Sequence, residues 1–183
     1  MNQGFFVLVR PAIRQDLDVL VKFNAALAWE TEHRRLDLSK VRSGVESLLR
    51  DPQKGWYAVA ERTHPTEADS VVGQLLVTFE WSDWRNGNFW WLQSVYVHPD
   101  FRQKGIFKRL HAFVKEEAQR QKERVCGFRL YVDRENHSAH RTYDKLGFQG
   151  TTYHMYECEF PEEPVNTPSH GYSTTTNPQD RAE

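Results

Sequence analysis

The chain has 183 residues, a length that suits one domain of ordinary size and leaves little room for a second. Its 24 lysines and arginines nearly balance 25 aspartates and glutamates, and four of those acids with one base fall in residues 161–183, so the body is close to neutral and not a general nucleic-acid binder. No apolar run approaches the roughly 20 residues that span a bilayer, residues 1–10 lack a secretory apolar stretch, and Cys126 and Cys158 have no zinc or disulfide-scaffold spacing, which predicts a cytoplasmic protein with no membrane partner and no metal.

Phe5 to Val9 reads as a first strand, closed by Arg10 and Pro11. Ile13, Leu17, Leu20, Val21, Asn24, Leu27 and Ala28 recur at helical steps, with Asp16 and Asp18 near the positive end of the helix dipole, so a helix follows and fades around residues 29–33. Ser39 is placed to cap a second helix that runs to Arg50 and stops at Asp51 and Pro52. Residues 56–61 then form a strand, and 63–70 a polar loop. Residues 71–80 and 89–97 are two long strands, joined through Asn86 and Gly87 into an antiparallel hairpin.

After His98 and Pro99, a loop leads to Gly105 and a helix to about Lys122, with Ile106, Leu110, Phe113 and Val114 on one stripe. Residues 125–132 return as a strand and 136–146 as a helix that Gly147 caps, and 148–151 with 152–160 supply the last strand material. From Pro161 onward the composition turns to Pro, Thr, Ser, Asn and Glu. Such a segment cannot bury enough surface to offset its ordering entropy, so 161–183 is expected to be a disordered tail.

The chemistry concentrates between Gln93 and the helix opening at Gly105. A helix N-terminus offers backbone N–H groups without internal partners and a positive dipole end, and Arg102, Lys104, Lys108 and Arg109 add four charges around it against Asp100. This turn suits a phosphate-bearing ligand.

Two motifs in order, each in the expected strand or helix context, resemble the GNAT acetyltransferase family over roughly residues 6–160. The first is V-x-V-x-P followed by R/Q-x-x-G-x-G/A, matched by Val95, Val97, Pro99, Arg102 and Gly105; the second is N-x-x-A-x-x-x-Y-x-x-x-G-F, matched by Asn136, Ala139, Tyr143, Gly147 and Phe148. The resemblance implies an α/β GNAT acyl-CoA N-acyltransferase fold, with a mixed, mostly antiparallel central sheet and about four helices, in a domain of residues 1–160. It also implies acetyl-CoA as cosubstrate and acetyl transfer to a primary amine. On it, Val95, Tyr96 and Val97 offer backbone groups to the pantetheine arm and thioester. The turn of Arg102, Gln103, Lys104, Gly105, Ile106, Phe107 and Lys108 holds the pyrophosphate, Asn136 contacts the cofactor arm, and Tyr143 protonates the departing thiolate. Phe107 departs from the family's small residue, so its ring is expected to turn into the helix packing face beside Leu110 and Val114.

An attacking amine needs a route for its proton. The family often has Glu on the strand where Gln93 and Ser94 stand here, so the base candidates are Glu80, Glu30 and Glu32, each of which could equally be a solvated acid. Trp81, Trp84, Trp90 and Trp91 fall near Glu80 and Asp83, a set that could attract a cationic amine or simply pack across the hairpin; Trp90 and Trp91 point to opposite faces in a strand. His137 and His140 stand one turn apart without a supporting ligand and read as surface imidazoles. The rival to an enzyme is a non-catalytic CoA-sensing or interaction module on the same fold. Related domains often pair, so a homodimer is an expectation, and the acceptor is expected to be a small molecule.

Overall fold

The computed structural model describes residues 6–62, 71–158 and 160, and the chain divides into two compact units, 1–137 and 138–183. The first unit holds a five-stranded sheet in the order β1 (Val7–Pro11), β2 (Trp56–Arg62), β3 (Val71–Ser82), β4 (Gly87–Val97), β5 (Val125–Arg129). The first four strands are antiparallel to their neighbours and β5 runs parallel to β4. Three helices belong to this unit: α1 (Leu17–Glu32), α2 (Leu38–Arg50) and α3 (Ile106–Arg120). This is the mixed, mostly antiparallel sheet that the sequence predicts. A fourth helix, α4 (His137–Lys145), leads into the second unit.

Alternation along the strands decides which helix covers which face. Tyr57 and Val59 of β2 join Leu76 of β3, Leu20 and Val21 of α1 and Val45 of α2 in one buried cluster. Trp56, one residue out of phase, points to the other side, where its ring meets Phe113 of α3 at 5.8 to 6.2 Å from two partners, Trp90 being the other. On α3 the residues Ile106, Leu110, Val114 and Ala118 recur every fourth position and are all buried.

Several boundaries differ from the sequence reading for identifiable reasons. Strand β1 continues through Pro11, which pairs with Ala58, because β1 lies at the sheet edge, where a missing N–H need not break the ladder. Asp37 caps α2 in place of Ser39: its carboxylate accepts from the Ser39 amide at 2.8 Å and hydroxyl at 2.6 Å and from the Lys40 amide at 3.3 Å. Asp16 is buried below α1 and binds Arg10 through both guanidinium nitrogens, at 2.7 and 3.0 Å, while Arg10 also reaches Glu61 at 2.6 Å. Both carboxylates raise the Arg10 pKa against the opposing effect of burial, with the Asp16 hydrogen bond the largest contribution.

In the second unit, α4 ends in a Schellman closure around Gly147, whose φ of 88° is left-handed. The Phe148 amide donates to Tyr143 O at 3.1 Å and the Gly147 amide to Asp144 O at 3.0 Å. The Phe148 ring sits 5.8 Å from that of Tyr143, the apolar contact that accompanies this cap. The strands expected at 148–160 do not form among the described residues of that stretch. Tyr153, Met155, Tyr156 and Phe160 are exposed, so strand propensity there has no buried face to act on. The expected loop at 63–70 and tail at 161–183 lie outside the described residues.

Candidate active site

The turn from β4 to α3 takes two left-handed residues, Gln103 (φ 61°) and Gly105 (φ 77°), and Gly105 is the N-cap residue of α3. Glycine adopts that conformation without a Cβ penalty, so the backbone can double back and present the helix opening to solvent. No side chain among the described residues caps this opening. Ile106 anchors the turn in the core, while Lys104, Lys108 and Arg109 stay exposed. Phe107 is half-buried with its ring 6.3 Å from His111, one turn on; it flanks the buried Leu110 and Val114 stripe instead of joining it.

The basic side chains of this turn already have local partners. Arg102 donates from Nε to Val97 O at 2.9 Å and from a terminal nitrogen to Glu30 at 2.5 Å, and lies over the Tyr96 ring. Tyr96 in turn donates its hydroxyl to Glu30 at 3.0 Å. Burial first, and then the Glu30 carboxylate, raise the Tyr96 pKa, which keeps it a donor. Lys104 donates to Asp100 O at 2.8 Å. Glu30 therefore ties the last turn of α1 to the strand and loop that carry the first motif. Glu32, two residues on, is exposed.

Strand β4 is bulged just before the Val95 to Val97 segment. Leu76 pairs with Gln93 and Gln74 with Tyr96, so two β4 residues, Ser94 and Val95, stand opposite the single Leu75. Ser94 holds φ 44°, a conformation that costs a non-glycine residue roughly 1–2 kcal/mol. A polar group that sequence reasoning passed over surrounds it. Gln74 is fully buried, and its amide nitrogen donates to Asn24 Oδ1 at 3.0 Å and to Ser94 O at 3.1 Å. Asn24 donates to the Tyr57 hydroxyl at 3.1 Å. The signal in the sequence is a lone Gln inside the apolar run 71–77.

Further along the same face of β3 and β4, Gln93 donates to Thr78 at 2.6 Å, and Glu80 accepts from Trp91 Nε1 and from Arg129 of β5. Arg129 lies 3.9 Å from the Phe89 ring centre, and Arg85 lies 5.1 Å from it. The four tryptophans do not share a pocket. Trp90 is buried among Trp56, Phe79 and Phe128, Trp91 is half-buried on the opposite face beside Tyr131, and Trp81 and Trp84 are exposed. Cross-strand packing accounts for Trp90, as the alternation predicts.

Asn136 is exposed at the end of the first unit, its amide donating to Asp133 O at 3.0 Å. In the second unit Tyr143 is half-buried on α4, and burial raises its pKa above the ordinary 10.0. Among the described residues, no three His, Cys, Asp or Glu side chains gather in a way that could hold a metal, and no helix is long and apolar enough to cross a membrane.

The model of the acetyltransferase (GNAT) family matches residues 20–148. The chain belongs to the GNAT acetyltransferase family. A possible acetyltransferase from Clostridium difficile is 44% identical, with 87% of this chain and 100% of that one covered and a TM-score of 0.75. The aminoglycoside N-acetyltransferase AAC(6')-Iy in complex with CoA shares the fold at 16% identity, with 87% and 98% covered and a TM-score of 0.69. So does a predicted acetyltransferase from Clostridium acetobutylicum solved with acetyl-CoA, at 18% identity, 84% and 96% coverage and a TM-score of 0.67. No curated protein sequence matches the chain.

Proposed function

We propose that this protein is an N-acetyltransferase that carries the acetyl group of acetyl-CoA directly to a primary amine of a small molecule in a ternary complex. The observation that carries this reading is the β4 to α3 unit, in which a bulged strand leads into an uncapped, Gly105-opened helix start ringed by Arg102, Lys104, Lys108 and Arg109. The pyrophosphate sits at that helix start, met by the amides of residues 103–108, and the pantetheine arm runs along Val95, Tyr96 and Val97 toward Asn136. Both lysines and Arg109 remain exposed to supply charge there.

The amine nitrogen attacks the thioester carbonyl carbon, the C–S bond breaks, and the thiolate takes the hydroxyl proton of Tyr143. The proton lost by the amine passes to a carboxylate, directly or through water. Glu80 is ion-paired with Arg129 and Glu30 with Arg102, while Glu32 is solvent-facing. Separate Glu80→Gln, Glu30→Gln and Glu32→Gln variants identify the base by which one removes the acidic limb of the kcat/KM profile.

The relatives that act on aminoglycosides support a small amine as acceptor. A cationic acceptor has weaker support, since the Glu80 carboxylate is paired with Arg129 and two guanidinium groups lie over Phe89. The reading includes a cytoplasmic location, no metal, membrane or nucleic-acid partner, and a homodimer that sedimentation would test. Release of free CoA from acetyl-CoA across a panel of polyamines, amino acids and aminoglycosides tests the function; acetylated amine should appear in equal amount. The ion-paired state of Glu30 and Glu80 favours one second reading, a CoA-sensing module without turnover, for which acetyl-CoA would bind and no amine would be acetylated.

A further inference from the structure

Gln74 is the most fully buried uncharged polar side chain described, with no exposed surface, and its Oε1 accepts no hydrogen bond from any described residue. A buried amide with an orphaned acceptor is costly and calls for an explanation. Replacing it with an apolar side chain would remove that cost, so packing alone does not account for a glutamine here. Its two donated bonds go to Asn24 on α1 and to the carbonyl of Ser94, the one left-handed residue of β4. Asn24 in turn donates to the Tyr57 hydroxyl on β2. A relay from β2 and α1 through Gln74 of β3 thus ends on the carbonyl of one strained residue, next to the backbone proposed to meet the thioester.

We propose that Gln74 is a positioning residue for acetyl transfer: with Asn24 and Tyr57, it locks Ser94 in the left-handed conformation that turns the Val95 amide out of the ladder toward the thioester carbonyl. The inference rests on the acetyl-CoA reading of β4 given above. Physically, the bulge opens a gap in the β3–β4 register at Ser94 and Val95, but a serine left to itself relaxes toward extended backbone and closes that gap. Hydrogen-bonding the Ser94 carbonyl to a buried amide that is itself tied to Asn24 fixes the bend. A donor displaced by about 1 Å from a developing oxyanion loses on the order of 10- to 100-fold in rate, so a fixed bend matters more to the reaction than to cofactor affinity.

The test uses the full chain, Gln74→Met as the near-isosteric variant that removes both bonds, and Asn24→Ala as a milder one that removes a single support. In the free protein, the three-bond amide–Hα coupling of Ser94 reports its φ; the left-handed value should persist in wild type and shift to an extended one in Gln74→Met. In the complex with carbonyl-labelled acetyl-CoA, the thioester stretch should move to lower frequency than in solution. Gln74→Met should lose most of that displacement while binding acetyl-CoA within about threefold of wild type, and Asn24→Ala should lose part of it. The double variant Gln74→Met with Ser94→Gly should regain part of it, because glycine enters the left-handed bend without the Cβ penalty that serine carries. An unchanged Ser94 coupling, or an undiminished carbonyl shift in Gln74→Met, overturns the inference. A wild type that binds no acetyl-CoA or leaves its carbonyl unshifted overturns instead the assignment of β4 as the thioester site, while the Ser94 coupling still reports whether Gln74 holds the bend.

Discussion

A phenol that is to protonate a thiolate must keep its own proton at working pH, and partial burial does this for Tyr143 by pushing its pKa upward. The Tyr143→Phe variant is therefore expected to lose kcat by roughly 10²- to 10⁴-fold with little change in acetyl-CoA affinity, read by steady-state kinetics and calorimetry. Wild-type activity should hold on the alkaline side until the pH rises past the ordinary tyrosine range. Burial acts in the opposite sense on His111 of α3, lowering its pKa from 6.5, with Lys115 adding to the effect. The folded state then refuses a proton that the unfolded chain accepts, so the contribution to stability is intact above about pH 6.5 and is lost as pH falls below it. His111→Gln should lose less melting temperature than wild type between about pH 7.5 and about pH 5.5. The local structure around Tyr143 was legible because its motif also specifies the helix end: the Gly147 and Phe148 that follow close the helix directly onto Tyr143. Gln74 was not legible, since a single polar letter in an apolar strand reveals its meaning only when Ser94, Asn24 and Tyr57 are seen around it.

Helix α3 presents the Gly105 turn at one end and the Leu110 and Val114 stripe along its length, so its packing fixes where the turn lies. Leu110 has no exposed surface, and Leu110→Ala should cost about 2–5 kcal/mol of stability in a denaturant titration, with CoA affinity falling only if the helix shifts. Gly105→Ala keeps the sequence helical but strains the left-handed N-cap, and should cost roughly 1–2 kcal/mol as well as weakening CoA binding. At this scale the sequence pattern was informative wherever a periodic apolar face existed: α1, α2, α3 and the β3–β4 hairpin all lie within a few residues of expectation. It failed where the deciding partner was distant or local chemistry competed. Pro11 could stay in a strand because that strand lies at the edge, Asp37 starts the α2 cap two residues before Ser39 by accepting from the Ser39 and Lys40 amides, and Tyr153, Tyr156 and Phe160 had the propensity of strands without a covered face.

Near neutrality conceals a local arrangement of charge. Bases collect at the start of α3, while the carboxylates of the α1 end and the hairpin are engaged by Arg102 and Arg129. If the turn grips the pyrophosphate, Arg102→Ala combined with Lys104→Ala should weaken acetyl-CoA binding by on the order of 10-fold or more, with an affinity that falls as salt rises. The fold and the turn proposed to hold the cofactor could be read from two spaced motifs, because backbone turns and helix starts are local features. The surroundings of the candidate bases Glu30 and Glu80 could not, because their partners on β4, the loop before α3 and β5 lie at long sequence separations. The most direct measurement of the central claim is release of free CoA from acetyl-CoA with the amine panel, run beside Tyr143→Phe. Acetyl transfer predicts CoA and N-acetylated amine in equal amounts with at least one acceptor, and a large loss in the variant; acetyl-CoA that binds without turnover across the panel, or a variant as fast as wild type, would contradict it.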